Sequence, residues 1–153
     1  MDKVNTLIRQ KPRIFVYITA AYLLAVVLLK LLFHPSFDAL WFVLGGAIGI
    51  YFLDGAELFF ALNPSPFRSV VFQALFAVVA FFVVTSSTST MGSGLVLSLF
   101  LQMVLWQVGQ WNTFGNLDSW YRMVAGSVEP KTQRLILGVS GIVFLVETYI
   151  FVR

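Results

Sequence analysis

The sequence predicts an all-α membrane protein: a bundle of five transmembrane helices with a short cytoplasmic interfacial helix. Three observations predict it. Apolar blocks, each near the ~20 residues that a ~30 Å hydrocarbon core requires, repeat along the chain. Hydrophobic residues make up 59% of the 153 and charged residues only 11%, against roughly 25% charged in an ordinary soluble domain. Basic residues collect in alternate connections. A chain of this length is read as one polytopic domain over 1–153, with no room for a separate soluble one.

The first span runs from about Ile14 to Phe33. Its apolar run is longer than a signal-peptide core, and no small-x-small cleavage pattern follows before Lys30, so it is expected to stay attached. The second, about Leu40 to Leu62, carries Gly45, Gly46 and Gly49, a small-residue cluster with Gly-x-x-x-Gly spacing at which helices approach closely. Close packing within the chain is the leading reading and homodimerisation through the same glycines the lesser one. Asn63-Pro-Ser-Pro66 then removes backbone donors and predicts a sharp antiparallel hairpin into the third span, about Phe67 to Ser86. The uncharged run TSSTSTMGSG reads as an exposed turn before the fourth span, about Leu95 to Trp111. The fifth is placed at about Leu135 to Val152.

Between the last two spans, Leu117, Trp120, Tyr121 and Val124 fall at i, i+3, i+4 and i+7 and share one helical face. Asn116 or Asp118 would cap the start and Gly126 the end. Trp and Tyr favour the headgroup level, which predicts a helix lying on the cytoplasmic interface; the alternative is a loop helix packed back onto the bundle.

Orientation follows from Lys and Arg near the spans. Eight (Lys3, Arg9, Lys11, Arg13, Arg68, Arg122, Lys131 and Arg134) fall on one side and two, Lys30 and Arg153, on the other. The reading is a multi-pass inner-membrane protein with its amino terminus cytoplasmic and its carboxyl terminus external. The formal charge of +3 is spread over helix ends and short loops rather than gathered in a patch, so nucleic acid is not the expected partner. The lipid bilayer is, together with an unknown protein partner. The absence of Cys removes disulfides, thiolate metal sites and cysteine nucleophiles.

Residues that are costly in hydrocarbon are the candidate site. At ~1.5 Å rise per residue, Asp54 lies ~12 Å and Glu57 ~8 Å from the inner end of their span, Gln102 ~13 Å and Gln73 ~10 Å from theirs. These four, with Gln107, are read as one polar layer. Asp54 and Glu57 are three apart, on one helical face, where they suit a cation or a shared proton as readily as a structural network. Lys30 and Glu147, both near the external surface, could form an outer ion pair or could reach water separately. His34, alone and before a proline, reads as an interfacial turn residue. No cofactor or metal is expected.

The order FLDGAELFF, PFRSVVFQ and GSGLVLSLFLQMVLWQ, over roughly residues 45 to 122 with NLDSWYRM as a further match, resembles the layout of a family of small bacterial inner-membrane proteins, predicted metal-dependent hydrolases also described as LexA-binding and membrane-associated. The resemblance implies that Asp54 keeps an acidic position and that Glu57 stands where a His is expected. Arg68 and Ser69 would occupy a His-Ser element, and Gln102 and Trp106 would replace a later His and Asp. It thus implies a divergent member lacking the metal ligands. A hydrolytic metal needs several imidazole or carboxylate ligands and an open water position, and no Gly-x-Ser-x-Gly elbow offers a serine nucleophile. Three functions stand open: a non-catalytic scaffold or partner-binding protein, which leads; a proton- or cation-linked transport component using Asp54 and Glu57; and a divergent membrane-bound hydrolase.

Overall fold

A computed structural model describes residues 12–33, 37–62 and 64–153. Among the described residues five α-helices follow one another: α1 (Arg13–Phe33), α2 (Asp38–Phe59), α3 (Val70–Ser86), α4 (Thr90–Phe114) and α5 (Pro130–Val152). A single 3-10 turn, Asp118–Tyr121, lies between α4 and α5. No strand occurs among the described residues. Helices α1, α2, α4 and α5 are long and apolar enough to cross a membrane, while α3 has 17 residues, about 25 Å of rise.

The helix ends follow local chemistry. Ser69 Oγ accepts the Phe72 N–H at 3.1 Å, so α3 starts at Val70 rather than at Phe67. Ala61 takes a left-handed φ of 51°, and α2 stops at Phe59, three residues before the expected end. Ser89 Oγ accepts the Gly92 N–H at 3.0 Å and begins α4 five residues earlier than expected. Most of the run read as an exposed turn is therefore helix, and the connection proper is 87–89. Gly115, at φ 70°, closes α4 in the left-handed conformation that glycine adopts without strain.

The least apolar of the long helices takes the centre. Helix α4 buries Ser93, Ser98, Gln102 and Gln107, whereas α1, α3 and α5 turn stripes such as Leu24, Leu28 and Leu32, or Leu135, Val139 and Ile142, to the outside. Polar groups inward and continuous apolar stripes outward suit a bilayer as solvent, in keeping with four helices long and apolar enough to cross one. The most extensive interface is α2 against α4. A Cβ on Gly45 would strike the Met91 carbonyl, one on Gly94 the Phe42 carbonyl, and one on Gly49 would lie 2.6 Å from the Leu95 oxygen. Gly46 receives the Leu23 side chain of α1. The glycine face that could have served a homodimer is occupied within the chain. Phe42 stacks on Phe151 of α5 at 4.7 Å, and Phe144 meets Phe100 edge-on at 5.9 Å, which closes the core on the α5 side.

The segment expected as an interfacial helix packs back onto the bundle, as in the alternative reading. Leu117, Trp120 and Tyr121 are buried in a cluster with Leu53, Leu99 and Met103, so the apolar face points into the protein and only one 3-10 turn forms. Gln133 explains this. Its Oε1 accepts the Leu117 N–H at 2.7 Å, and its Nε2 donates to Asp118 Oδ1 at 2.7 Å and the Val128 carbonyl at 3.0 Å. The start of α5 thereby holds the segment down, and burial pushes the Tyr121 phenol above its ordinary range.

Candidate functional site

The strongest polar constellation is centred on Arg68, which the α2–α3 hairpin carries back over the last turns of α2. Asp54 and Glu57 share a helical face, and both reach the same guanidinium. Nε of Arg68 donates to Glu57 Oε1 and Oε2 at 2.8 and 3.1 Å, and Nη2 donates to Glu57 Oε2 at 2.7 Å and Asp54 Oδ1 at 3.0 Å. Arg68 Cζ lies over the Trp106 ring, 4.2 Å from its centroid, and Trp106 meets Phe15 edge-on at 5.3 Å. One side chain thus ties together α2, the hairpin, α4 and the start of α1. Arginine is suited to this place because its rigid fork serves two carboxylates along one edge while its flat face stacks on an aromatic ring.

The expected single polar layer is three separate sets. Asp54 and Glu57 belong to Arg68. Gln107 Nε2 donates to Gln73 Oε1 at 2.6 Å, between α4 and α3. Gln102 Nε2 donates to Thr19 Oγ1 at 2.6 Å, between α4 and α1, and Thr19 passes its own proton to the Phe15 carbonyl at 2.8 Å. Depth along the axis says nothing of azimuth: Gln102 and Gln107 are five residues apart, about 140° around α4, and face different neighbours. Gln73 Nε2, Gln102 Oε1 and Gln107 Oε1 are buried without hydrogen-bond partners.

The outer pair of Lys30 and Glu147 is not formed. Lys30 Nζ donates to the Phe151 carbonyl at 3.2 Å and lies 3.7 Å from the centroid of that ring. Glu147 is 1% exposed, and neither of its oxygens has a hydrogen-bond partner. His34 falls outside the described residues, as do Asn63 and the basic residues Lys3, Arg9 and Lys11. At the positions singled out by the family resemblance, Arg68 is an ion-pair partner, Ser69 a helix cap and Trp106 a stacking surface. Among the described residues, no three His, Cys, Asp or Glu side chains come together as a metal-binding group.

Beside Arg68 lies a cavity of about 610 Å³ at the end of the bundle where α1 begins, the α2–α3 hairpin turns and α4 ends. Arg68, Trp106, Gln110, Trp120, Arg122 and Phe15 are among its walls. Gln110 sets the geometry of one side: its Oε1 accepts Ser119 Oγ at 2.8 Å and Trp120 Nε1 at 3.1 Å. Sequence reasoning missed Gln110 and Gln133. The available signal was an amide near each end of the amphipathic 117–124 segment, placed to satisfy its turn. The chain matches no family model, and neither a curated protein nor a solved structure is significantly similar to it.

Proposed function

We infer that the chain is a non-catalytic, multi-pass protein of the cytoplasmic membrane, crossing five times with its amino terminus inside, and that it works by holding a ligand or partner in the cleft at its inner end. One observation carries this reading. The intramembrane carboxylates Asp54 and Glu57 are both drawn to Arg68 at the end of their helix, so the charge closes a hairpin instead of lining a route across the bilayer. The cavity on the other side of Arg68 is open to an outside molecule.

A photoreactive residue at Met123, an exposed member of the cavity wall, tests this in native membranes against the same residue at Leu145, exposed on α5. Met123 should yield a discrete adduct that Leu145 does not. Identical adduct patterns at the two sites would remove the reading.

A second reading, a proton-linked role, is favoured by Glu147 alone. A carboxyl enclosed in the bundle without a hydrogen bond breaks the rules of a stable core, and such departures concentrate at functional positions.

A further inference from the structure

The nitrogen-bearing side chains around the inner-end cavity have one property in common: their unused hydrogen-bonding capacity is that of donors. Nε and Nη2 of Arg68 are committed to Asp54 and Glu57, and Nη1, with two N–H groups, has no hydrogen-bond partner among the described residues. Gln110 has committed its Oε1 twice as an acceptor, which leaves the Nε2 amide without a partner there. Arg122 is exposed on the wall and makes no hydrogen bond or ion pair with a described residue. The Asp54 and Glu57 carboxylates hold Arg68 from the α2 side and are not among the lining residues, so among the described residues no carboxylate faces the space.

A ligand that satisfies these groups must be an acceptor, and two guanidiniums favour an anion with several oxygens. The wall also holds the hydroxyls of Ser65, Ser69, Thr113 and Ser119, the last three donating within the chain, and the apolar or aromatic side chains of Phe15, Trp106, Phe114, Trp120 and Met123. Phe114 and Met123 are exposed, at 70% and 61%, at a helix end where headgroups meet water. A volume of about 610 Å³ exceeds what a bare anion needs and suits a headgroup with the beginning of its chains.

We propose that this cavity binds the phosphate diester of an anionic phospholipid from the inner leaflet, with Arg68 Nη1, Arg122 and Gln110 Nε2 as donors to the phosphate and the Trp106 and Trp120 rings flanking its glycerol and upper chains. The proposal rests on the cleft being the working site and supplies its ligand class. A discrete Met123 adduct in the absence of phospholipid binding would remove the ligand while leaving the cleft.

The test uses the full chain in maltoside micelles, titrated with dioctanoyl phosphatidylglycerol, dioctanoyl phosphatidylcholine or inorganic phosphate, and reads tryptophan emission. Two variants leave the packing intact. Arg122→Gln removes an exposed charge. Gln110→Glu keeps the oxygen that accepts from Ser119 and Trp120 and replaces the free N–H donors with an anionic oxygen. Phosphatidylglycerol should give a saturable change that phosphatidylcholine lacks, and each variant should weaken it about tenfold, the effect of losing one charge-assisted contact of about 1.4 kcal/mol. Equal response to the two lipids, no response to phosphatidylglycerol, or variants that bind like the parent would overturn the proposal. Inorganic phosphate that displaces the lipid at comparable concentration would overturn the lipid as source and assign the site to a soluble phosphate.

Discussion

Replacing Arg68 by Met removes the cation and all four hydrogen bonds to Asp54 and Glu57 while keeping most of the side chain's apolar bulk over Trp106. Breaking a fully buried ion pair by deleting one partner costs about 3–5 kcal/mol, because the remaining charge is stranded. Here the Asp54 and Glu57 side chains are 12% and 15% exposed but Arg68 is 32% exposed, so solvent screens part of the loss. We expect Arg68→Met to destabilise the protein by about 2–4 kcal/mol. Arg68→Lys keeps the charge but not the fork, and should fall between the parent and the Met variant. Combining Arg68→Met with Asp54→Asn and Glu57→Gln removes the stranded charges and should recover most of the stability. Reversible denaturation in mixed micelles, followed by tryptophan emission, gives the ordering. If Arg68→Met is as stable as the parent, or the triple variant is no better than Arg68→Met, the ion pair does not hold the hairpin.

Three further outcomes follow from the packing. Gly45→Ala drives a methyl into the Met91 carbonyl and should cost about 1–3 kcal/mol or more, whereas Gly141→Ala meets nothing within 4 Å and should gain about 0.5–1 kcal/mol of helix propensity; thermal unfolding of the pair checks the difference. Glu147→Leu removes two buried oxygens without hydrogen bonds and should raise stability by about 1–3 kcal/mol, and a loss of stability would mean that the carboxyl has a partner in the folded protein. Tyr121 is pushed upward by burial, so its preference for the neutral phenol is intact below the ordinary value near ~10 and is lost as pH rises through the higher folded value. The parent should therefore lose melting temperature in alkali more steeply than Tyr121→Phe.

Five helices and the proline hairpin are legible in the sequence because length and hydropathy set them. The role of Gly45, Gly46 and Gly49 in close packing is legible for the same reason, since small residues in an apolar helix mark where another backbone comes near. Gly92 and Gly94 mislead because glycine is a turn residue type, yet in a helix packed against α2 the missing side chain of Gly94 is what lets α4 approach the Phe42 carbonyl. The face formed by Leu117, Trp120 and Tyr121 is correctly seen as amphipathic, but whether it meets lipid or protein depends on Gln110 and Gln133, which lie in other elements. Asp54 and Glu57 stand out as costly groups in hydrocarbon. Their partner does not, because Arg68 reads first as a cytoplasmic loop charge, and only the curl of the hairpin brings it within 3 Å of both carboxylates.

An inner-leaflet cleft requires the cavity to face the cytoplasm, and hence all five helices to cross, the 17-residue α3 included. Single cysteines placed in this Cys-free chain at Ser87, at Met123 and after Arg153 measure that directly with a membrane-impermeant maleimide on intact cells. Labelling of the Ser87 and carboxyl-terminal sites from outside, with Met123 labelled only after permeabilisation, is the predicted result. Met123 labelled in intact cells, or Ser87 protected in them, would contradict the topology and the inner-leaflet cleft together.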